Sequence, residues 1–423
     1  MKKIAFVVVR YGKDINGGAE YHCKMLAERL VDSYQVEVLT TCAKNYLTGE
    51  NEFPEGEEMI NGVLVRRFKT APSVSKDKVS ESYQKARKAS KIRKNLYKIG
   101  LLSPIALFFP IWTYKEEYEM DEFTGNAMYS PALIQFIEDH KSDYEAFIPL
   151  TIDFPMVLFT ALHVPEKTIV IPTMHYLRST FRSLMTKVFT RVAYIAFNTH
   201  AEEKLARRTF GPRMSAHGIV SVGYELATPA DWESTVSKYQ LPPEYLLYVG
   251  RIDKYKLNKI FDYFAAYKQI YKDSQLKFVA VGGLFCEPYE HPDILYTGFV
   301  DDHEKRSIIE HAKIVINPSK YESLSLILLE AMALKRPMLV NGRCNVMKEH
   351  CKKSGHAALA YFNKKDFIKK LYRMDSSETL RIEMGNKGYR YIRTNYVWDL
   401  IMQRMKNCIE YVSRQNARFS LAR

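Results

Sequence analysis

The sequence predicts an α/β chain of two doubly wound domains, and three observations carry that expectation. Short runs of aliphatic and β-branched residues, of the length of buried parallel strands, alternate with helix-forming stretches from the first residues onward. Residues 226–243, LATPADWESTVSKYQLPP, break that alternation with prolines and polar side chains. Residues 314–333 then pass from an apolar run through Asn317-Pro318-Ser319 into helix-forming sequence that stops near Arg336-Pro337, a strand, a loop and a helix. A chain of 423 residues that is 47% hydrophobic has material for two or three such cores.

The first predicted strand is residues 4–9, IAFVVV, ending at Arg10-Tyr11-Gly12. The run is too short for the apolar region and cleavage site of a signal peptide, so the expected location is cytoplasmic. Gly17-Gly18 then open a helical pattern, and glycines at a strand-to-helix turn let the backbone come close to a ligand. The spacing is not GxGxxG, and a plain tight turn is an equal alternative. Residues 35–40 make the second strand, which completes the opening of a doubly wound sheet.

Residues 76–98 carry nine Lys or Arg against Asp77 and Glu81, and an apolar stretch ending in Trp112 follows over residues 101–112. Twelve residues reach about 18 Å as a helix, short of the roughly 30 Å hydrocarbon core, and two prolines interrupt them, so the stretch does not cross a membrane. Two readings remain. The segment lies on an anionic leaflet, possible partner of residues 76–112, or it is a solvated helix backed by a buried loop. Beyond residue 126 a Pro-initiated helix (129–137) and a strand (146–150) are expected. Three further strands (167–176, running into a loop, 193–199 and 218–223) follow, the first of them with His175 at its carboxyl end. An imidazole there suits a hydrogen bond to a hydroxyl, although a lone strand-end His is commonly just a satisfied polar residue.

The break places the first domain at residues 1–228, a linker at 229–243, the second domain at 244–395 and a final helical segment at 396–423. The second domain opens with a strand at 245–249, then Gly250-Arg251 and, five residues on, Lys256. A strand and turn at 277–283 and a strand at 294–300 follow, Asp301-Asp302 cap the next helix, and a strand at 338–342 comes after the 314–333 junction.

That junction aims the free N–H groups of a helix's first turn at the crevice beyond a strand end, where an anion binds. Ser323 and Ser325 are small enough to admit a phosphate. Glu322 is expected in the loop and Glu330 about a turn and a half inside the helix. Carboxylates do not bind phosphate, but they accept hydrogen bonds from sugar hydroxyls, so the pair suggests a diphosphate with a sugar at each end. The plainer alternative is an amphipathic helix with two solvated glutamates.

Residues 318–337, PSKYESLSLILLEAMALKRP, resemble PSxxEGFGLxxLEAMAxGxP, the signature of the retaining glycosyltransferases of family 4. Both glutamates and the Leu-Glu-Ala-Met-Ala helix are kept, whereas Ser323, Ser325 and Lys335 stand where the family has glycine. Gly250-Arg251 with Lys256 is similar to the family's GRxxxxKG, with Leu257 replacing the last glycine, and GGAE at residues 17–20 matches its donor-facing and acceptor-facing loop. Tyr176 departs from the Asp that follows the histidine in many relatives. The resemblance implies the GT-B fold, two Rossmann-like domains facing across a cleft, with the last helix returning to the first domain. It implies a hexosyltransferase that moves a sugar with retention from a nucleoside diphosphate to a glycan or lipid-linked acceptor in surface polysaccharide or glycoconjugate synthesis. It also implies roles for single residues. Arg251 and Lys256 would hold the diphosphate, Glu322 and His175 the transferred sugar, and Glu330 the ribose. Gly17, Gly18, Ser323, Leu324, Ser325 and Leu326 would line the donor. No cofactor or metal is expected, since Arg251 and Lys256 would take the metal's charge-neutralising part and no DxD stands at a strand end.

The formal charge of +14, 62 Lys and Arg against 48 Asp and Glu, favours anionic partners, but no nucleic-acid-binding motif accompanies it. The six cysteines show no metal-ligand spacing and are expected to be reduced, with Cys344 and Cys351 the one pair to watch. An epimerase or a non-catalytic nucleotide-sugar-binding protein of the same fold remains the alternative; the presence of Arg251, Lys256, Glu322 and Glu330 counts against the second.

Overall fold

The computed structural model describes residues 1–13, 15, 17–72, 76–257 and 259–421, the side chains of 76–80 and 419–421 excepted. Asp14 and Asn16 of the glycine loop, and the side chains of Lys76, Asp77 and Lys78 in the basic run, therefore lie outside the described residues. The chain divides into two compact units, Met1–Val222 with Asp399–Arg423, and Gly223–Trp398.

In the first unit five strands, β1 (Lys3–Val7), β2 (Gln35–Thr41), β3 (Gly56–Ile60), β4 (Val63–Phe68) and β5 (Ala146–Pro149), pair in the order β3-β4-β2-β1-β5. All pairs are parallel except the β3–β4 hairpin, whose turn residues Asn61 and Gly62 both have positive φ. Strands β6 (Ile169–Val170), β7 (Tyr194–Phe197) and β8 (His217–Ile219) form a further parallel set, joined to β5 by bridges at Phe147–Thr168 and Leu150–Ile171. All three of these strands are shorter than their sequence suggests. Pro172, which has no N–H to give a ladder, ends the pairing beyond Ile171, and Ser221 at φ 69° turns the chain out of the extended region. The helix Trp398–Leu421 buries Ile401, Met405, Ile409 and Val412, spaced at helical period on one face. Lys2 Nζ donates to Ser413 Oγ at 2.6 Å, holding that helix against the amino terminus.

The basic run is a helix, Lys76–Lys98, and the apolar stretch that follows breaks into a short helix, Leu102–Phe108, and a loop. The second of the two readings, a solvated helix backed by a buried loop, describes part of this segment. Leu102 and Ala106 are buried and Trp112 packs with Tyr97 and Phe181, while Phe108 and Phe109 are 74% and 66% exposed.

The second unit is one six-stranded parallel sheet: β9 (Tyr245–Val249), β10 (Lys277–Val281), β11 (Ile294–Gly298), β12 (Ile314–Asn317), β13 (Met338–Asn341) and β14 (Ala358–Tyr361). Their spatial order is β11-β10-β9-β12-β13-β14. Counted from the first strand of the unit this is 3-2-1-4-5-6, the doubly wound Rossmann order. The strands are apolar runs because helices cover both faces, and Leu246, Phe278, Ile314, Ile316 and Leu339 share one core with Phe264 and Phe367.

Candidate functional site

In a sheet of this order the connections from β9 and β12 leave in opposite directions, and ligands bind in the crevice beyond those two carboxyl ends. The residues that follow β9 are Gly250 and Arg251, and those that follow β12 are residues 318–325. The sheet alone therefore brings the two charged motifs of the second unit to one place.

The loop after β9 is set from below. Gly250 has φ +145°, and a Cβ there would lie 3.0 Å from the Tyr248 hydroxyl, which itself donates to the Arg251 carbonyl at 2.8 Å. Asp253 accepts from the Lys256 amide at 2.7 Å, capping the short helix Lys254–Leu257, and takes Arg251 Nε on its other oxygen. Lys256 Nζ reaches across to Glu322 at 2.9 Å, and the rings of Tyr255 and Tyr321 stack at 5.3 Å, so two contacts tie the β9 loop to the β12 loop. The Arg251 side chain is 43% exposed. Screened pairs of this kind contribute little to stability, which leaves the cations able to exchange a carboxylate for a phosphate.

The β12 loop is held by two asparagines. Asn317 Oδ1 accepts from the Ser319 amide and its Nδ2 donates to Ser325 Oγ, each at 3.0 Å, while Asn341 Nδ2 donates to the Pro318 carbonyl at 2.8 Å. Ser325, at φ +80°, is the left-handed residue that starts the helix Leu326–Ala333. The helix ends at a second such residue, Lys335 at φ +57°: its amide bonds Met332 O and the Arg336 amide bonds Ala331 O, a Schellman closure. Of the three positions where serine or lysine replaces glycine of the resembled signature, Ser325 and Lys335 thus keep the backbone conformation that glycine favours, and Ser323 does not.

Glu322 lies in the loop, part-buried and paired with Lys256, and Glu330 lies in the helix, buried and paired with Lys305 at 3.3 Å. Burial raises the Glu330 carboxyl above the ordinary range and the Lys305 charge opposes it. Ser323 and Leu326 are partly exposed beside them, and Leu324 is buried. Sequence reasoning missed Lys305, Asp253, Asn317 and Asn341. Asn317 and Asn341 end β12 and β13, Asp253 stands between Arg251 and Lys256, and Lys305 lies on the helix Asp302–His311; only the fold assigns each its partner. Among the described residues no group of three or more His, Cys, Asp or Glu is placed to hold a metal ion. Cys344 and Cys351 are free and seven helical positions apart, about 10 Å along the axis and beyond disulfide reach.

In the first unit Gly17 precedes the helix Gly18–Leu30 in extended conformation, φ −179°. A Cβ on Gly17 would lie 2.1 Å from the Glu20 carboxylate, which is buried and paired with Arg10, whereas one on Gly18 would meet nothing within 4 Å. His175 lies in the loop five residues beyond Val170 rather than at a strand end, because Pro172 stops the strand. That loop is tied by Thr180 Oγ1 to the His175 carbonyl and by Glu202, which accepts from the amides of Met174 and Asn198.

Residues 243–375, less than half of the chain, match the family described as Glycosyl transferases group 1. A search of curated proteins gives no match. Among solved structures, sucrose-phosphate synthase from Thermosynechococcus elongatus is similar at TM-score 0.65 and 14% identity, with 100% of both chains covered. HepE of Anabaena in complex with UDP and glucose is similar at TM-score 0.66 and 12% identity, covering 97% of this chain and 100% of that one. The trehalose 6-phosphate synthase of Burkholderia multivorans follows at TM-score 0.65 and 10% identity, with 98% and 100% covered.

Proposed function

We infer, from the GT-B fold with its two Rossmann-like units and from the match of residues 243–375 to the Glycosyl transferases group 1 family, that the protein is a nucleotide-sugar-dependent glycosyltransferase. From that premise we propose that the protein is a retaining, metal-independent glycosyltransferase of the family 4 type, taking a hexose from a nucleoside diphosphate to a glycan or lipid-linked acceptor in surface polysaccharide or glycoconjugate synthesis. The observation that carries the reading is the meeting of Arg251, Lys256, Glu322 and the Leu326–Ala333 helix start at the β9/β12 switch point. HepE, a protein of similar fold, is described in complex with UDP-glucose, which supports a nucleotide-sugar donor.

As the bond from the anomeric carbon to the β-phosphate oxygen breaks, negative charge grows on the departing diphosphate. Arg251, Lys256 and the helix N–H groups are the donors that stabilise it. The acceptor oxygen forms its bond on the face the phosphate leaves, and its proton passes to that phosphate oxygen, so no protein nucleophile is needed. Glu322 accepts from hydroxyls of the transferred sugar and Glu330 from the ribose. Gly17, Gly18 and His175 are assigned to the donor phosphates, the acceptor and the sugar on the resemblance alone.

The deciding experiment is turnover of a matched donor in EDTA with the product's anomeric configuration determined, in the wild type and in Glu322→Gln and Glu330→Gln. Retention, activity in EDTA, a loss mainly in kcat for Glu322→Gln and a rise mainly in KM for Glu330→Gln are expected. Inversion, or an absolute need for Mg²⁺, contradicts the proposal.

A second property is proposed for residues 76–112, peripheral contact with an anionic membrane. No described helix is long and apolar enough to cross a membrane. Exposed Ile99, Leu101, Phe108 and Phe109 lie beside Lys98 and the exposed Arg207 and Arg208 of the helix His200–Phe210, against which Leu102–Phe108 packs. Binding to anionic vesicles that weakens with salt, and not to neutral ones, is expected; equal binding to both leaves the segment a plain surface helix.

A further inference from the structure

The loop that carries Glu322 is fastened to the rest of the second unit by a residue that neither the motif nor the proposed chemistry uses. His350, on the helix Asn345–Lys353, is 1% exposed. Its Nε2 lies 3.0 Å from the Leu324 carbonyl and its Nδ1 3.0 Å from the Tyr391 hydroxyl. That hydroxyl is in turn 3.2 Å from the Tyr396 hydroxyl, and both tyrosines are buried.

The chemistry of the partners fixes the protons. A carbonyl oxygen only accepts, so Nε2 carries the hydrogen, and in a neutral ring Nδ1 is then the acceptor for Tyr391. Burial pushes the imidazole pKa down to about 4, which keeps the ring in this neutral form near neutral pH. A trans peptide holds its C=O and N–H antiparallel. Pinning the Leu324 carbonyl toward the buried histidine therefore turns the Ser325 N–H to the opposite side, away from the Asn345–Lys353 helix. Ser325 is the residue at φ +80° that starts the Leu326–Ala333 helix, and its side chain is held separately by Asn317.

We propose that His350 is a positioning residue for the anion loop: its Nε2–H bond to Leu324 sets the peptide plane that presents the Ser325 N–H to the donor diphosphate. The inference rests on the reading that this junction takes a nucleoside diphosphate. The relay behind it, Tyr391 and Tyr396, holds the ring in the required tautomer.

The test uses the full chain with His350→Leu, His350→Gln and Tyr391→Phe, and UDP, GDP and ADP with their monophosphates as probes in calorimetry. With the diphosphate that the wild type binds, His350→Leu should raise Kd at least tenfold while the matching monophosphate changes little, and His350→Gln, which retains an N–H donor, should restore binding to within about threefold. A fold-wide defect would not separate the two nucleotides or be rescued by glutamine. Unchanged diphosphate affinity in a folded His350→Leu overturns the inference and leaves the donor site standing. Wild-type chain that binds none of the three diphosphates overturns both. If His350→Leu does not fold, ¹⁵N-histidine spectra of the wild type decide: an Nε2–H ring at position 350, identified by its absence in His350→Gln and shifted in Tyr391→Phe, supports the role, and an Nδ1–H ring overturns it.

Discussion

Two strand-to-helix junctions, one in each unit, follow the same design and have opposite interiors. After β1 the chain reaches Gly17 and the helix Gly18–Leu30; after β12 it reaches Ser325 and the helix Leu326–Ala333. At the first junction the charges are closed on each other: Arg10 donates to Glu20 at 2.9 Å and to the Lys44 carbonyl at 2.7 Å, with both side chains buried. At the second, Lys256, Glu322 and Arg251 are partly exposed. The residue types are also inverted with respect to the backbone. A glycine stands at the first junction where φ is ordinary and the constraint is the space filled by the Glu20 carboxylate, while a serine stands at the second at φ +80° and supplies a hydroxyl to Asn317. A glycine in such a turn therefore does not by itself mark a ligand's approach. Charge that the fold leaves partly open is the better sign of chemistry.

The comparison can be broken most sharply at its cations. Arg10→Met leaves the Glu20 carboxylate buried without its partner and should cost about 3–5 kcal/mol of stability, read as a large fall in Tm. Arg251→Ala should leave Tm almost unchanged and lower turnover more than a hundredfold, about 3 kcal/mol of transition-state stabilisation. Arg251→Ala with wild-type turnover, or Arg10→Met with wild-type stability, would erase the distinction between the two junctions. Smaller effects sharpen it. Gly17→Ala should cost about 1–3 kcal/mol because the buried ion pair must shift to admit the methyl group. Ser325→Gly should change stability by only about 0.5 kcal/mol in either direction, since relief of the left-handed conformation is offset by loss of the hydrogen bond from Asn317. Denaturant titrations of the two variants measure both.

Much of the second unit is legible because its strands are buried on both faces and read as apolar runs such as Leu246-Leu247 and Ile314-Val315-Ile316, and because Asp301 and Glu304 form a capping box that local sequence announces. The β3–β4 hairpin is harder to read: Glu57 and Glu58 put charge on an exposed edge strand, although the Asn61-Gly62 pair between the strands is a hairpin signal. Strand β6 has only two residues: the apolar run Ile169-Val170-Ile171 announces a strand there but not how short it is. In the site, the motif residues are visible as charges at strand ends, but the order β11-β10-β9-β12-β13-β14 that brings Arg251 and Lys256 beside Glu322 is a long-range property. His350 is invisible for the same reason. In Lys348-Glu349-His350 it is one polar residue among others, and only packing makes it a buried donor to Leu324.

The claim on which the account turns is that the open junction of the second unit binds a nucleotide-sugar diphosphate. A thermal-unfolding panel of UDP-, GDP-, ADP- and dTDP-sugars, run on the wild type and on Arg251→Ala, tests it directly. One donor class should stabilise the wild type by about 2.7 kcal/mol at a hundred times its Kd and lose that effect in Arg251→Ala. No stabilisation by any of the four, or stabilisation undiminished in Arg251→Ala, would contradict it.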